Sequence, residues 1–156
     1  MSEILPASHW DRRYLLLARH IAAWSRDPST KVGAVIVGER KQIISLGFNG
    51  LPQGVVDSED RLVDRDTKYK LIVHAEMNAL AFAERRVEGS TLYTWPFMPC
   101  ARCAGIVIQH GIKRIVAPFE DNPRWNDDFQ TSSMMFKEAG VDLRLVTLDN
   151  WSVEDL

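Results

Sequence analysis

Between residues 8 and 25 apolar side chains recur at helical spacing. Trp10, Tyr14, Leu17, Ala18 and Ile21 share one face, and Ser8 with Asp11 three positions on is placed to cap the start. The pattern predicts an amphipathic helix packed on a sheet. Ser25-Arg26-Asp27-Pro28-Ser29-Thr30 breaks it. Lys31 to Val37 then reads as a short buried strand, Gly38-Glu39-Arg40-Lys41 as a hairpin turn, and Gln42 to Phe48 as the second strand. Asn49-Gly50-Leu51-Pro52 ends that strand. Residues 50 to 72 are polar, mixed in charge and nearly aperiodic, so they read as a long connection of the kind that carries function or moves.

Beyond residue 73 the pattern is regular: a helix near 74–86, a strand Thr91 to Trp95, a helix over 100–110, a strand Lys113 to Ala117, a helix near 131–139 and a strand Asp142 to Thr147. Gly111 and Gly140 sit where helix C-terminal caps belong. Such strand-helix alternation requires parallel neighbours with helices on both faces, and the opening hairpin adds an antiparallel pair. The expected fold is α/β, a three-layer α/β/α sandwich around a five-stranded mixed sheet. One domain is expected over 1–156, with a tail from 148 that reads as a short final helix or a frayed end.

Composition narrows the function classes. The chain has 156 residues, 46% hydrophobic and 26% charged, with a formal charge of -2. That near-neutral balance gives no electrostatic argument for nucleic acid or an anionic membrane. No apolar run approaches the roughly 20 residues of a membrane span, and Met1-Ser2-Glu3-Ile4-Leu5-Pro6 lacks the basic-then-apolar plan of a signal peptide. The expectation is a cytoplasmic protein, where two cysteines can stay reduced.

Those cysteines carry the chemistry. Pro99-Cys100-Ala101-Arg102-Cys103 follows His74-Ala75-Glu76 along the chain. Taken alone, a C-x-x-C is a redox pair, half of a zinc site or two helix cysteines, and an H-A-E is weaker still. Together, each opening a helical pattern, they supply three zinc ligands and one unliganded carboxylate. A structural zinc closes with four protein ligands, whereas a catalytic zinc keeps three and leaves a position for water. With two cysteines in the whole chain, a site of four cysteines, or of three cysteines and a histidine, cannot be built within it. Cys100 and Cys103, three apart at a helix start, present their sulfurs on one face, and the helix N-terminus favours them as thiolates. His74 must sit at the cap of its own helix if it and Glu76, two residues on, are to reach one site. Glu76 is then the proton carrier. The H-x-E and P-C-x-x-C pair is the signature of zinc nucleobase deaminases.

Further segments extend the match: Ser25-Arg26-Asp27-Pro28-Ser29-Thr30-Lys31-Val32-Gly33-Ala34, Gly47-Phe48-Asn49-Gly50-Leu51-Pro52, Lys68-Tyr69 and Gln109-His110-Gly111-Ile112-Lys113. With them the chain resembles the cytidine deaminase superfamily, and within it the deoxycytidylate (dCMP) deaminases. The resemblance implies hydrolytic deamination of dCMP to dUMP and ammonia, and assembly into a homo-oligomer, a dimer or a hexamer. It implies that Asn49 bonds the substrate sugar and that the Ala75 amide holds the pyrimidine carbonyl. It favours Arg26 and Lys31, among many cations, for the phosphate. Tyr93-Thr94-Trp95-Pro96-Phe97-Met98-Pro99 is bulky for the family and reads as pocket wall, with Trp95 able to stack on a base. Other readings stay open: the same chemistry on a free base, nucleoside or other amino-heterocycle, a nucleic-acid-editing deaminase, or a non-catalytic zinc scaffold, for which Glu76 has no use.

Overall fold

Alternation along the central strands divides the core in two. In this computed structural model, which describes residues 4–147 and 151–152, Ala34 and Ile36 of β2 (Gly33–Val37) face one way and Val35 and Val37 the other. Leu92 and Tyr93 of β4 (Thr91–Trp95) part likewise, as do Ile115 and Val116 of β5 (Arg114–Pro118). A strand with side chains on both faces buried must be covered twice. On one side α1 (His9–Ala22) brings Tyr14, Leu15 and Ala18. On the other, α4 (Ala75–Ala81), α5 (Ala101–Gln109) and α6 (Asn126–Ala139) bring Ala79, Val107 and Phe136. The result is the expected three-layer α/β/α sandwich.

The sheet has six strands, not five, in the order β1-β6-β5-β4-β2-β3. The addition is β1 (Ile4–Leu5), which pairs parallel with β6 (Asp142–Val146). Two residues before a proline are too few to show an alternation. β3 (Ile43–Phe48) pairs antiparallel with β2, β2 antiparallel with β4, and β4, β5 and β6 run parallel.

Other elements differ from expectation, among them α1, which ends at Ala22, three residues early. The stretch 50–72 holds two short helices, α2 (Glu59–Val63) and α3 (Arg65–Leu71). Neither is long enough to repeat an apolar face, and the buried residue of α3 is Lys68, which a hydrophobic pattern counts as surface. α4 stops at Ala81, five residues before the expected end, and α6 starts at Asn126, five before the expected start. On α1 the Ser8 hydroxyl accepts from the Asp11 N–H at 3.2 Å, as read from the sequence, but Trp10 remains 40% exposed. Most of the tail after 147 lies outside the described residues.

Gly33 pairs with both Phe48 and Trp95, so the start of β2 and the ends of β3 and β4 share one edge of the sheet. The segment before β2, the turn after β3 and the loops after β4 and β5 all emerge there, where open α/β sheets place their ligands.

Two helices approach the hairpin through glycines. A Cβ on Gly33 would lie 2.0 Å from the Ala18 carbonyl oxygen, and one on Gly47 would lie 2.4 Å from both the Ala75 oxygen and the Ala79 nitrogen. Beside Gly47, the Ser45 hydroxyl donates to the Ala79 carbonyl at 2.7 Å. Gly47→Ala therefore has to lift α4 from the sheet. Overpacking of this kind costs about 1–3 kcal/mol, and the expected outcome is a lower urea midpoint at an unchanged slope. An unaltered midpoint would show that the contact between α4 and β3 is not a tight one.

Candidate active site

The first turns of α4 and α5 meet at that edge. His74 is the N-cap of α4, with extended backbone at φ -69° and ψ 155°, and Cys100 is the N-cap of α5 at φ -68° and ψ 168°. The cap position resolves the spacing difficulty. His74 leaves the chain before helical geometry begins, and Glu76, inside the helix, is 3% exposed beside it. The His74 Nδ1 lies 3.5 Å from the Cys100 Sγ and 3.3 Å from the Cys103 Sγ, and the three donor atoms all fall within 4.8 Å of one another. Donors at zinc bonding distances in a tetrahedron stand roughly 3.6 Å apart. One imidazole nitrogen and two sulfurs at this spacing fit a zinc ion, with one position left over.

The electrostatics suit a cation. The neighbouring Cys103 holds the Cys100 thiol well below its usual range, and the same contact, with burial, pushes Cys103 up. Metal binding requires both sulfurs as thiolates, so it releases whatever protons they carry. The Cys100 sulfur raises the His74 imidazole against the effect of burial. Burial raises Glu76 above the ordinary carboxyl range, opposed by His74.

Around these residues the pocket is walled by Asp27, Thr30, Val32, Asn49, Lys68, Tyr69, Ile72, Ala75, Phe97, Arg124 and Trp125. Ala75 is the first residue of its helix, where a backbone N–H has no intrahelical acceptor. Asn49 lines the pocket, but its amide is committed to the fold: Oδ1 accepts from the Val32 N–H at 2.9 Å, and Nδ2 donates to the Thr30 carbonyl at 2.9 Å and to Asp27 at 3.4 Å. One lone pair of Oδ1 is left for a ligand.

Three expected contacts are not brought to the pocket. Trp95 faces α1, with the Arg19 guanidinium 5.6 Å above its ring, because residues 93 and 95 of a strand point the same way and Tyr93 is in that layer. Phe97, two residues on, lines the pocket instead and packs against Trp125 and Phe129. Arg26 is tied to Asp57 at 3.1 Å on the surface, and Lys31 is exposed outside the pocket lining.

The cations that do reach the pocket are Lys68 and Arg124. Lys68 is 7% exposed and donates to Asp27 at 3.2 Å and to the Ser29 hydroxyl at 2.7 Å. Arg124 hydrogen-bonds the Tyr69 hydroxyl and has no carboxylate partner among the described residues. Arg65 lies 5.2 Å from the Tyr69 ring. Burial alone would raise the Tyr69 phenol, but the two arginines outweigh it and lower it.

The family model for the cytidine and deoxycytidylate deaminase zinc-binding region matches residues 8–118. The chain belongs to this family. It is a zinc-dependent hydrolytic deaminase, and its His74, Cys100 and Cys103 donors lie close enough together to hold the ion. An uncharacterized deaminase from the luxG 3′ region of Aliivibrio fischeri is 42% identical over 91% of this chain and 97% of its own. Deoxycytidylate deaminase of Mus musculus is 35% identical over 88% and 80%. Among solved structures, the dCMP deaminase of cyanophage S-TIM5 in complex with dCMP and dUMP superposes with a TM-score of 0.70 at 25% identity, over 90% of this chain and 99% of that one.

The Asp27 carboxylate knits the pocket wall. It accepts from the Ser29 N–H at 2.9 Å, the Thr30 N–H at 3.3 Å, the Ser29 hydroxyl and Lys68. Burial alone would raise it, but these donors win and hold it below the usual carboxylate range. A carboxylate depressed on folding contributes stability above its unfolded value, which is lost as pH falls through the folded one. Wild type should therefore melt well above Asp27→Asn at pH 7, with the gap closing below about pH 4. A gap independent of pH would mean that the charge of Asp27 does not hold the wall.

Proposed function

We propose that the protein converts dCMP and water to dUMP and ammonia, with Glu76 as the proton carrier and His74, Cys100 and Cys103 as the zinc ligands. The observation that carries the reading is a buried carboxyl beside three converging donors, in a pocket whose mouth is cationic. The relatives named for dCMP, and the neighbour holding dCMP and dUMP, support the same substrate.

Zinc, when bound, supplies the Lewis acidity that makes water a nucleophile near neutral pH. Glu76 takes a proton from the attacking water and passes it to the ring nitrogen beside the amine-bearing carbon. It then takes the second proton from the newly added hydroxyl and gives it to the amino group, which leaves as ammonia while the carbonyl forms. Burial raises its affinity for a proton above that of an exposed carboxylate. The Ala75 N–H bonds the pyrimidine carbonyl, and Phe97 and Trp125 pack on the base. Asn49 accepts from a sugar hydroxyl through its remaining lone pair. The phosphate pairs with Arg124 and Tyr69 at the mouth, in place of Arg26 and Lys31.

A single domain over 1–156 and a homo-oligomer belong to the same reading. Ile43, Leu46 and Phe48 leave β3 an exposed apolar edge, with Trp24 against Phe48, and such edges invite pairing. No helix among the described residues is long and apolar enough to cross a membrane, and two thiolate ligands favour the cytoplasm.

Glu76→Gln should retain zinc and fold while kcat falls roughly 100-fold or more. Full turnover in the variant would remove Glu76 from the mechanism, and loss of zinc would make it a ligand.

Steady-state kinetics on dCMP and deoxycytidine test the substrate. Charge-assisted bonds to the phosphate should favour dCMP by at least ~100-fold in kcat/KM, and Arg124→Ala should erase most of that margin while Arg26→Ala spares it. Equal efficiency on both substrates would overturn the nucleotide assignment.

A further inference from the structure

The N-terminus of α5 lacks a cap of its own. Cys100 occupies the N-cap but makes no side-chain capping bond, and the first turn holds no acidic residue. The first N–H groups of a helix have no intrahelical acceptor and need one from elsewhere. Asp128, in the first turn of α6, supplies it: its Oδ2 accepts from the Ala101 N–H at 2.8 Å.

That bond fixes one end of a single peptide plane. The other end is the Cys100 carbonyl, which accepts from the Ala104 N–H at 2.8 Å. With both ends tied, the plane between residues 100 and 101 cannot rotate. The ψ of Cys100 is thereby set at 168°, and with it the direction in which its Sγ leaves the backbone relative to the Cys103 sulfur. Asp128 is itself anchored, because its carbonyl accepts from the fully buried Ser132 hydroxyl at 3.2 Å and the neighbouring Phe129 packs on Phe97.

We infer that Asp128 is a positioning residue for the metal site, holding Cys100 in its ligating geometry through the Ala101 amide and not through its own charge. The inference rests on the reading of His74, Cys100 and Cys103 as zinc ligands.

The test is the zinc affinity of the purified protein, measured by competition with a chromophoric chelator, together with the thermal stability of the metal-free chain. Asp128→Ala, which removes the acceptor, should weaken zinc binding about 10- to 100-fold, the usual cost of losing an outer partner of a ligand. Asp128→Asn keeps an oxygen facing the amide and loses the charge, so it should bind zinc within a few-fold of wild type. If Asp128→Ala does not fold, Asp128→Ser, too short to reach Ala101, takes its place with the same expected loss. Wild-type affinity in the Ala or Ser variant would overturn the inference. Equal losses in Asn and Ala would overturn it too, since charge would then be the cause. So would a recovery of affinity that merely follows metal-free stability across the three variants. A wild-type protein that takes up no zinc would remove the ligand assignment itself, an outcome separate from the others.

Discussion

The geometry of the site depends on how closely α4 lies on β3. Backbone meets backbone there, at Gly47, with no side chain between, and the Ser45 hydroxyl ties the strand to the same helix. This contact sets the height of the α4 N-terminus above the sheet, and therefore the position of His74 and Glu76. On the other side of the site, β4 delivers the chain through Phe97 and Pro99 into α5, where Cys100 begins the helix. Two helices, one resting on β3 and the other following β4, thus present their first turns to one point. The partial positive charge at both N-termini favours thiolate and carboxylate groups in that place.

Much of this was legible in the sequence because it is local. His74, Glu76, Cys100 and Cys103 occur in two short motifs, and helical geometry alone requires His74 to be a cap if Glu76 is to join it. The alternating strands and the glycines at 111 and 140 marked the layers. Trp95 is a different case, since the signal was present: a period of two groups it with Tyr93, away from the pocket.

Other features were hidden for physical reasons. The ion pair between Asp27 and Lys68 spans 41 positions, and nothing local distinguishes a buried lysine from a solvated one. Arg124 lies in a loop with no periodicity and joins Tyr69 across 55 positions. The helices α2 and α3 are each shorter than the window in which an amphipathic face can repeat. The motif around Asn49 points to a sugar contact, and the part of Asn49 in holding Val32, Thr30 and Asp27 together depends on a loop whose shape only the folded chain reveals.

The pocket is thus built from two kinds of material. The metal donors and Glu76 sit on helix starts braced against the sheet, whereas the cationic mouth and much of the outer wall come from α3 and from the loops before β2 and after β5. A change in those loops alters what is recognised while the donors stay on helix starts, one resting on β3 and one following β4. Reaction and recognition can therefore diverge at different rates in descendants of this chain. Grafting a new mouth onto an untouched metal centre is the natural route to a deaminase for another amino-heterocycle.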